Sequence, residues 1–249
     1  MRKLIITLVS VCCVATLSAQ NIYVLSVGIC NYKYIRGLKQ TEADAKAMAT
    51  LYNTHTPHVR LLLGKEATHN NVLAALGKVC SLAKENDIVV FVFSGHGAKG
   101  GLCAYDTKQN NLITYSEVQR VMRTCKAKNK QMYIDACFSG GLRSSSATSA
   151  RSTFKNSSIM LFLSSRNNET SRENPYGANG VFTTYLLKGM KGGADVNRDR
   201  LVTARELFDY VSAKVAKATA NKQHPVMWGK FHDELHVLNW NKKRQLTDM

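Results

Sequence analysis

The sequence predicts an α/β domain built on a mostly parallel sheet. Three observations carry that expectation. Several apolar runs are continuous rather than alternating, the mark of strands buried on both faces. Segments with helical spacing fall between them, so strand and helix alternate along the chain. A length of 249 residues with 45% apolar residues suits one large domain with a substantial core.

The strand-like runs are IYVLSVGI (22–29), VRLLLG (59–64), DIVVFVF (87–93), GLCAYD (101–106), QMYIDA (131–136) and IMLFLSS (159–165). Helical spacing occupies TEADAKAMATLYNTH (41–55), THNNVLAALGKVCSLAKE (68–85) and TYSEVQRVMRTCK (114–126). Two further helices are expected near 178–191 and 203–220. Thr68 and Thr114 suit N-caps, and Glu117 completes a capping box with Thr114. One stretch differs: GGLRSSSATSARSTFKNSS (140–158) has no period and reads as a long exposed loop.

The N-terminus reads as a signal peptide. Arg2 and Lys3 precede the apolar run LIITLVSVCCVATL (4–17), which is too short for a comfortable bilayer span, and Ala19 offers a small residue for cleavage. The expected product is residues 20–249, secreted or periplasmic. No later stretch has the length and apolarity of a membrane helix, so no membrane attachment is expected after removal of the signal. Removal takes Cys12 and Cys13 and leaves Cys30, Cys80, Cys103, Cys125 and Cys137, an odd number. Lys and Arg total 34 against 17 Asp and Glu, a formal charge of +17. The basic residues are scattered, with no long basic run and no zinc-finger spacing. They read as a solvated surface rather than a nucleic-acid interface.

Two apolar runs end in reactive side chains. DIVVFVFSGHG (87–97) delivers His96 and KQMYIDACFSGG (130–141) delivers Cys137. In a parallel sheet both would emerge at the carboxyl edge, where ligands collect. A thiol beside an imidazole is the equipment of nucleophilic catalysis, since the thiolate is the reactive form of cysteine. Gly95 and Gly97 flank the histidine, and Gly140 and Gly141 follow the cysteine. The amides of Gly97 and Cys137 are candidate donors to an oxyanion.

FSGHG and DACFSG resemble the caspase-like cysteine peptidases, specifically the metacaspase and bacterial orthocaspase branch, over residues 22 to 238. Clostripain and legumain share the order of histidine before cysteine. The resemblance implies a caspase-like three-layer sandwich and a His96–Cys137 dyad acting on peptide and protein substrates. True caspases carry glutamine two residues before the cysteine; this chain carries Asp135, as metacaspases do. A carboxylate there favours a cationic P1 side chain. Asp44, in LKQTEADA (38–45), falls where metacaspases place a second pocket aspartate, and Ser94 matches a pocket-lining serine. The expected activity is cleavage after Arg or Lys. Family members often cut themselves after the nucleophile, which makes Arg143, Arg151 and Lys155 candidate self-cleavage positions. The resemblance also implies a monomer. The alternative from another class is a catalytically silent caspase-like module that binds a protein partner.

DVNRDRLVTARE (195–206) puts Asp195, Asn197, Asp199, Thr203 and Glu206 at calcium-loop positions, but Arg200 stands at the position normally held by glycine. An Asx-rich turn leading into the 203–220 helix, with Thr203 as its cap, is the favoured reading, and Ca²⁺ at this loop the lesser one. The remaining histidines show no metal spacing with cysteines. No cofactor is expected.

Overall fold

The computed structural model describes residues 20–239 apart from 99, 109–110, 138–145, 167–168, 170 and 176; for Cys137 and residues 146–149 it describes the backbone alone. The expected signal peptide and Arg143 therefore lie outside the described residues.

The first strand, β1 (Ile22–Gly28), leads to α1 (Thr41–Asn53), and β2 (Val59–Leu63) leads to α2 (His69–Leu82). Next come β3 (Ile88–Ala98), the short strands β4 (Gly101–Leu102) and β5 (Ile113–Thr114), and α3 (Tyr115–Arg123). Then follow β6 (Asn129–Cys137), α4 (Ser146–Phe154), β7 (Ile159–Leu163), α5 (Val181–Lys188), β8 (Leu201–Thr203), α6 (Ala204–Ala218), β9 (Val226–Trp228) and β10 (His236–Asn239). The helix starts obey local chemistry. The Thr68 hydroxyl accepts the Asn71 amide, and Thr114 and Thr203 each close a capping box with Glu117 and Glu206.

The main sheet runs β2-β1-β3-β6-β7-β9. Along this path every pair is parallel except β7 with β9, and β4 and β5 add antiparallel pairs beside β3. Alternate residues of β3 feed opposite layers. Val89, Phe91 and Phe93 join the core under α2, α3 and α4, while Ile88, Val90 and Val92 join the core under α1, α5 and α6. This is the three-layer α/β arrangement expected from the continuous apolar runs. Strand order reverses between β1 and β3, so the carboxyl ends of β1, β3 and β6 border the crevice where open parallel sheets place their ligands.

Two expectations need correction. The segment 140–158 is not simply an exposed loop, because it contains α4. Ala150 and Phe154, one helical turn apart, are fully buried in the core, and Phe154 meets Tyr115 edge-on at 6.3 Å between ring centroids. The Ser/Thr-rich composition of SATSARSTF hid a helix that tertiary packing stabilises in place of intrinsic propensity. The other correction concerns β3, which continues through SGHG to Ala98 instead of ending at Phe93. His96 therefore sits within the strand.

Candidate active site

Extension of β3 fixes the first relation. The parallel ladder of β3 and β6 pairs Ser94 with Asp135, Gly95 with Ala136 and His96 with Cys137. Adjacent strands lie about 4.8 Å apart, so His96 and Cys137 occupy neighbouring backbone positions at one edge of the sheet. Gly97 follows His96 on that edge and pairs with Leu102 of β4.

His96 is held from three directions. Its Nε2 lies 2.9 Å from the Arg36 carbonyl. A carbonyl only accepts, so Nε2 carries the proton and Nδ1 is left as the basic nitrogen. Its amide donates to the Tyr32 hydroxyl at 2.6 Å, and the Tyr32 and His96 rings lie 5.0 Å apart. Gly95 makes room for this contact: a Cβ there would come within 2.5 Å of the Tyr32 hydroxyl and 3.0 Å of the Phe93 ring. Burial, the main cause, keeps the imidazole pKa below the ordinary histidine value.

Beside this edge the structure brings Asp44, Ser94 and Asp135 together, from α1, β3 and β6. Asp44 is 3% exposed and Asp135 8% exposed. Asp44 accepts from the Ser94 hydroxyl at 2.9 Å, the Asn179 side-chain amide at 3.0 Å and the Gly180 backbone amide at 2.9 Å. Asp135 accepts from the Ser171 and Thr183 hydroxyls, the latter at 3.0 Å. A Cβ on Gly180 would lie 3.2 Å from an Asp135 oxygen and 3.3 Å from an Asp44 oxygen, so both carboxylates reach one point. Among the described residues neither has an ion-pair partner. The electrostatic result is direct. Burial first and the neighbouring Asp135 second push the Asp44 carboxyl up to about 7, and burial raises Asp135 as well.

The space between the two carboxylates is about 30 Å³, bordered by Gln40, Arg172, Glu173 and Gly180. A strap closes it. Gln40 donates to the Asn174 and Gly177 carbonyls at 2.7 and 2.6 Å and accepts the Asn174 amide at 2.8 Å; the Lys39 amide donates to Glu173 at 2.7 Å. Behind it the buried Gln223 side chain accepts the Arg172 amide at 2.9 Å and donates to the Ser164 carbonyl at 2.9 Å.

The raised Asp44 pKa has a consequence for stability. The folded chain keeps a proton on Asp44 that the unfolded chain releases near its ordinary value of 3.8. The stability that Asp44 contributes is therefore fully present below that value and is lost as pH rises through about 7. Asp44→Asn is expected to raise Tm at pH 8 by about 3–6 °C and to have no effect near pH 4. Thermal denaturation of both proteins across that range checks this; equal Tm values at pH 8 would contradict it.

The sequence matches the family model described as the caspase domain over residues 23–236. The chain belongs to the caspase-domain family. That family is one of cysteine peptidases acting on peptide and protein substrates, so this caspase domain has a cysteine-peptidase-type fold. Solved structures agree on the architecture. A protein of Geobacter sulfurreducens superposes with a TM-score of 0.66 at 18% identity, covering 88% of this chain and 98% of its own. Caspase-1 from Spodoptera frugiperda superposes with a TM-score of 0.64 at 13% identity, covering 88% and 89%. No curated protein matches the chain closely enough in sequence to count as a relative.

The other candidate residues lie apart from this crevice. Arg151 is exposed within α4, and Lys155 is exposed just beyond its end, before β7 begins at the opposite edge of the sheet. The calcium-like loop uses its acidic groups internally. Asp195 accepts the Arg200 amide at 3.0 Å, Asp199 accepts the Leu201 amide at 2.8 Å, and Glu206 caps α6 through Thr203. Arg200 adopts φ +70°, supplying the turn that glycine usually provides. Asn197 accepts the Asp199 amide at 3.0 Å, completing an Asx turn. Among the described residues no three His, Cys, Asp or Glu side chains converge as a metal site, and no helix is long and apolar enough to cross a membrane.

Sequence reading missed Tyr32, the Arg36 carbonyl, Ser171 and Thr183. None lies in the two motifs. Tyr32 follows β1 within four residues, and that proximity to a strand's carboxyl end was the one signal available.

Proposed function

We propose that this caspase-domain protein is an exported cysteine endopeptidase that hydrolyses peptide bonds after Arg or Lys. The observation that carries the reading is the pair of buried carboxylates, Asp44 and Asp135, converging beside Gly180. A guanidinium offers planar, paired donors that two carboxylates can share, and its charge would displace the proton that burial holds on the pair. The Ser94 hydroxyl fixes one Asp44 oxygen, leaving the carboxylate oriented toward the crevice. Substrate entry there would compete with the hydrogen bonds that Lys39 and Gln40 make to Glu173, Asn174 and Gly177.

The chemistry follows from the imidazole's orientation. His96 Nδ1 takes the Cys137 thiol proton while Nε2–H stays on the Arg36 carbonyl. The thiolate attacks the carbonyl carbon next to the basic residue. The amides of Gly97 and Cys137 stabilise the oxyanion. As the C–N bond breaks, His96 returns the proton to the leaving amine and a thioester remains. Water, deprotonated by His96, then releases the carboxylic acid and restores the thiol.

Self-processing belongs to the same reading, with Arg143, Arg151 and Lys155 as the positions at stake. A bond inside a helix is a poor protease substrate, so cleavage after Arg151 requires α4 to unwind first. The test of specificity is a panel of fluorogenic peptides ending in Arg, Lys, Asp or Leu, assayed with the mature protein. Arg and Lys peptides are expected to exceed Asp and Leu peptides by at least about 10³-fold in kcat/KM. A preference for Asp would overturn the pocket assignment.

A further inference from the structure

A second cavity shares no lining residue with the crevice. It is a groove of about 600 Å³ between the outer edge of β2 and the helix α2. Because β2 ends the sheet, one side of its backbone has no neighbouring strand among the described residues. The register shows which side. The Val24 amide donates to the His58 carbonyl and Val24 pairs with Val59, so even-numbered residues of β2 bond to β1. The amides and carbonyls of Val59, Leu61 and Leu63 therefore point outward.

The groove's walls define what would fill it. Ala74, Ala75 and the half-exposed Leu82 of α2 leave apolar space because two of the three side chains are small. His58 stacks on Tyr23 at 4.6 Å and forms part of the floor. Arg60 and Lys78 are both exposed and stand on opposite walls, against a single acidic lining residue, Glu66. The local excess is positive, as is the whole chain at +17.

We propose that this groove binds an extended segment of a partner protein carrying apolar and acidic side chains, which adds to β2 as a further strand. Main-chain bonds to Val59, Leu61 and Leu63 supply the pairing; leucine-sized groups fill the space beside Ala74 and Ala75; carboxylates meet Arg60 and Lys78. A second copy of this chain is disfavoured, because its own Arg60 and Lys78 would face like charges. The site is independent of the peptidase reading.

The probe is fluorescein-labelled Glu-Thr-Leu-Thr-Leu-Thr-Glu-Thr, which places Glu and Leu on one strand face, compared with the same peptide bearing Gln for Glu. Anisotropy is expected to show saturable binding of the Glu peptide, at least about fivefold tighter than the Gln peptide at low salt. Arg60→Glu combined with Lys78→Glu is expected to weaken binding at least about tenfold. Leu61→Pro removes an outward amide while sparing every bond to β1, and is expected to abolish binding. Both variants should hydrolyse small peptides as wild type does. The proposal is overturned if the Glu peptide does not bind, if the double charge reversal leaves its affinity unchanged, or if Leu61→Pro folds and still binds it. Sedimentation of a dimer that the charge reversals strengthen would also overturn it, by giving the groove to a second copy.

Discussion

Cys137→Ala is expected to lower kcat/KM toward Arg- and Lys-terminated peptides by about 10⁴-fold or more, because the proposed thioester forms on its sulfur. His96→Ala should cost nearly as much, about 10³–10⁴-fold, since the thiol then lacks a base at the neighbouring strand position. The double variant should be no worse than Cys137→Ala alone, because the two groups act as one unit. The Tm of both variants is expected to stay within about 2 °C of wild type. The same Cys137→Ala protein should give a single intact mass where wild type yields fragments. Identical fragments from both would assign the processing to another protease.

Asp135→Asn is expected to reduce kcat/KM for Arg peptides by about 10²–10³-fold while leaving the thiol reactive toward iodoacetamide. The pair of measurements matters, because a general collapse of the site would remove both. Asp135 stands two residues before Cys137 on the same strand and accepts from Ser171 and Thr183. Asparagine keeps the shape but brings an amide that cannot accept both hydroxyls and cannot neutralise a guanidinium. A compensating rise in activity toward neutral P1 residues such as Leu is expected to be small, because Asp44 still presents a carboxylate. Asp44→Asn should show a similar loss toward Arg together with its gain in stability at pH 8, a trade-off natural to a site that buries uncompensated charge. Unchanged Arg kinetics in Asp135→Asn would remove this residue from recognition.

Legibility in the sequence followed the range of the interactions. The central strands were readable because strands covered on both faces need continuous apolar runs, as in IVVFVF and IMLFL. The helices α2, α3 and α6 announced themselves through threonine caps, a local chemistry. The helix α4 did not, because its stability comes from Ala150 and Phe154 inserting into a core assembled elsewhere. The short strands β8, β9 and β10 are set by partners distant in sequence and carry little pattern of their own. The site divides in the same way. His96, Cys137 and Asp135 sit in compact motifs at strand ends. The groups that hold them do not: Asn179 and Gly180 reach Asp44 from 135 and 136 residues away, and the Tyr32 hydroxyl reaches His96 across 64. Such partners are specified by the fold, and no local spacing announces them.

The most direct measurement is covalent labelling of the protein with peptidyl acyloxymethyl ketones ending in Arg or in Asp, followed by peptide mass mapping. The expected result is stoichiometric modification of Cys137 by the Arg reagent, lost in His96→Ala and in Asp135→Asn, with little reaction of the Asp reagent. Labelling of another cysteine, no labelling of a folded protein, or faster reaction with the Asp reagent would contradict a thiol and imidazole served by an acidic pocket.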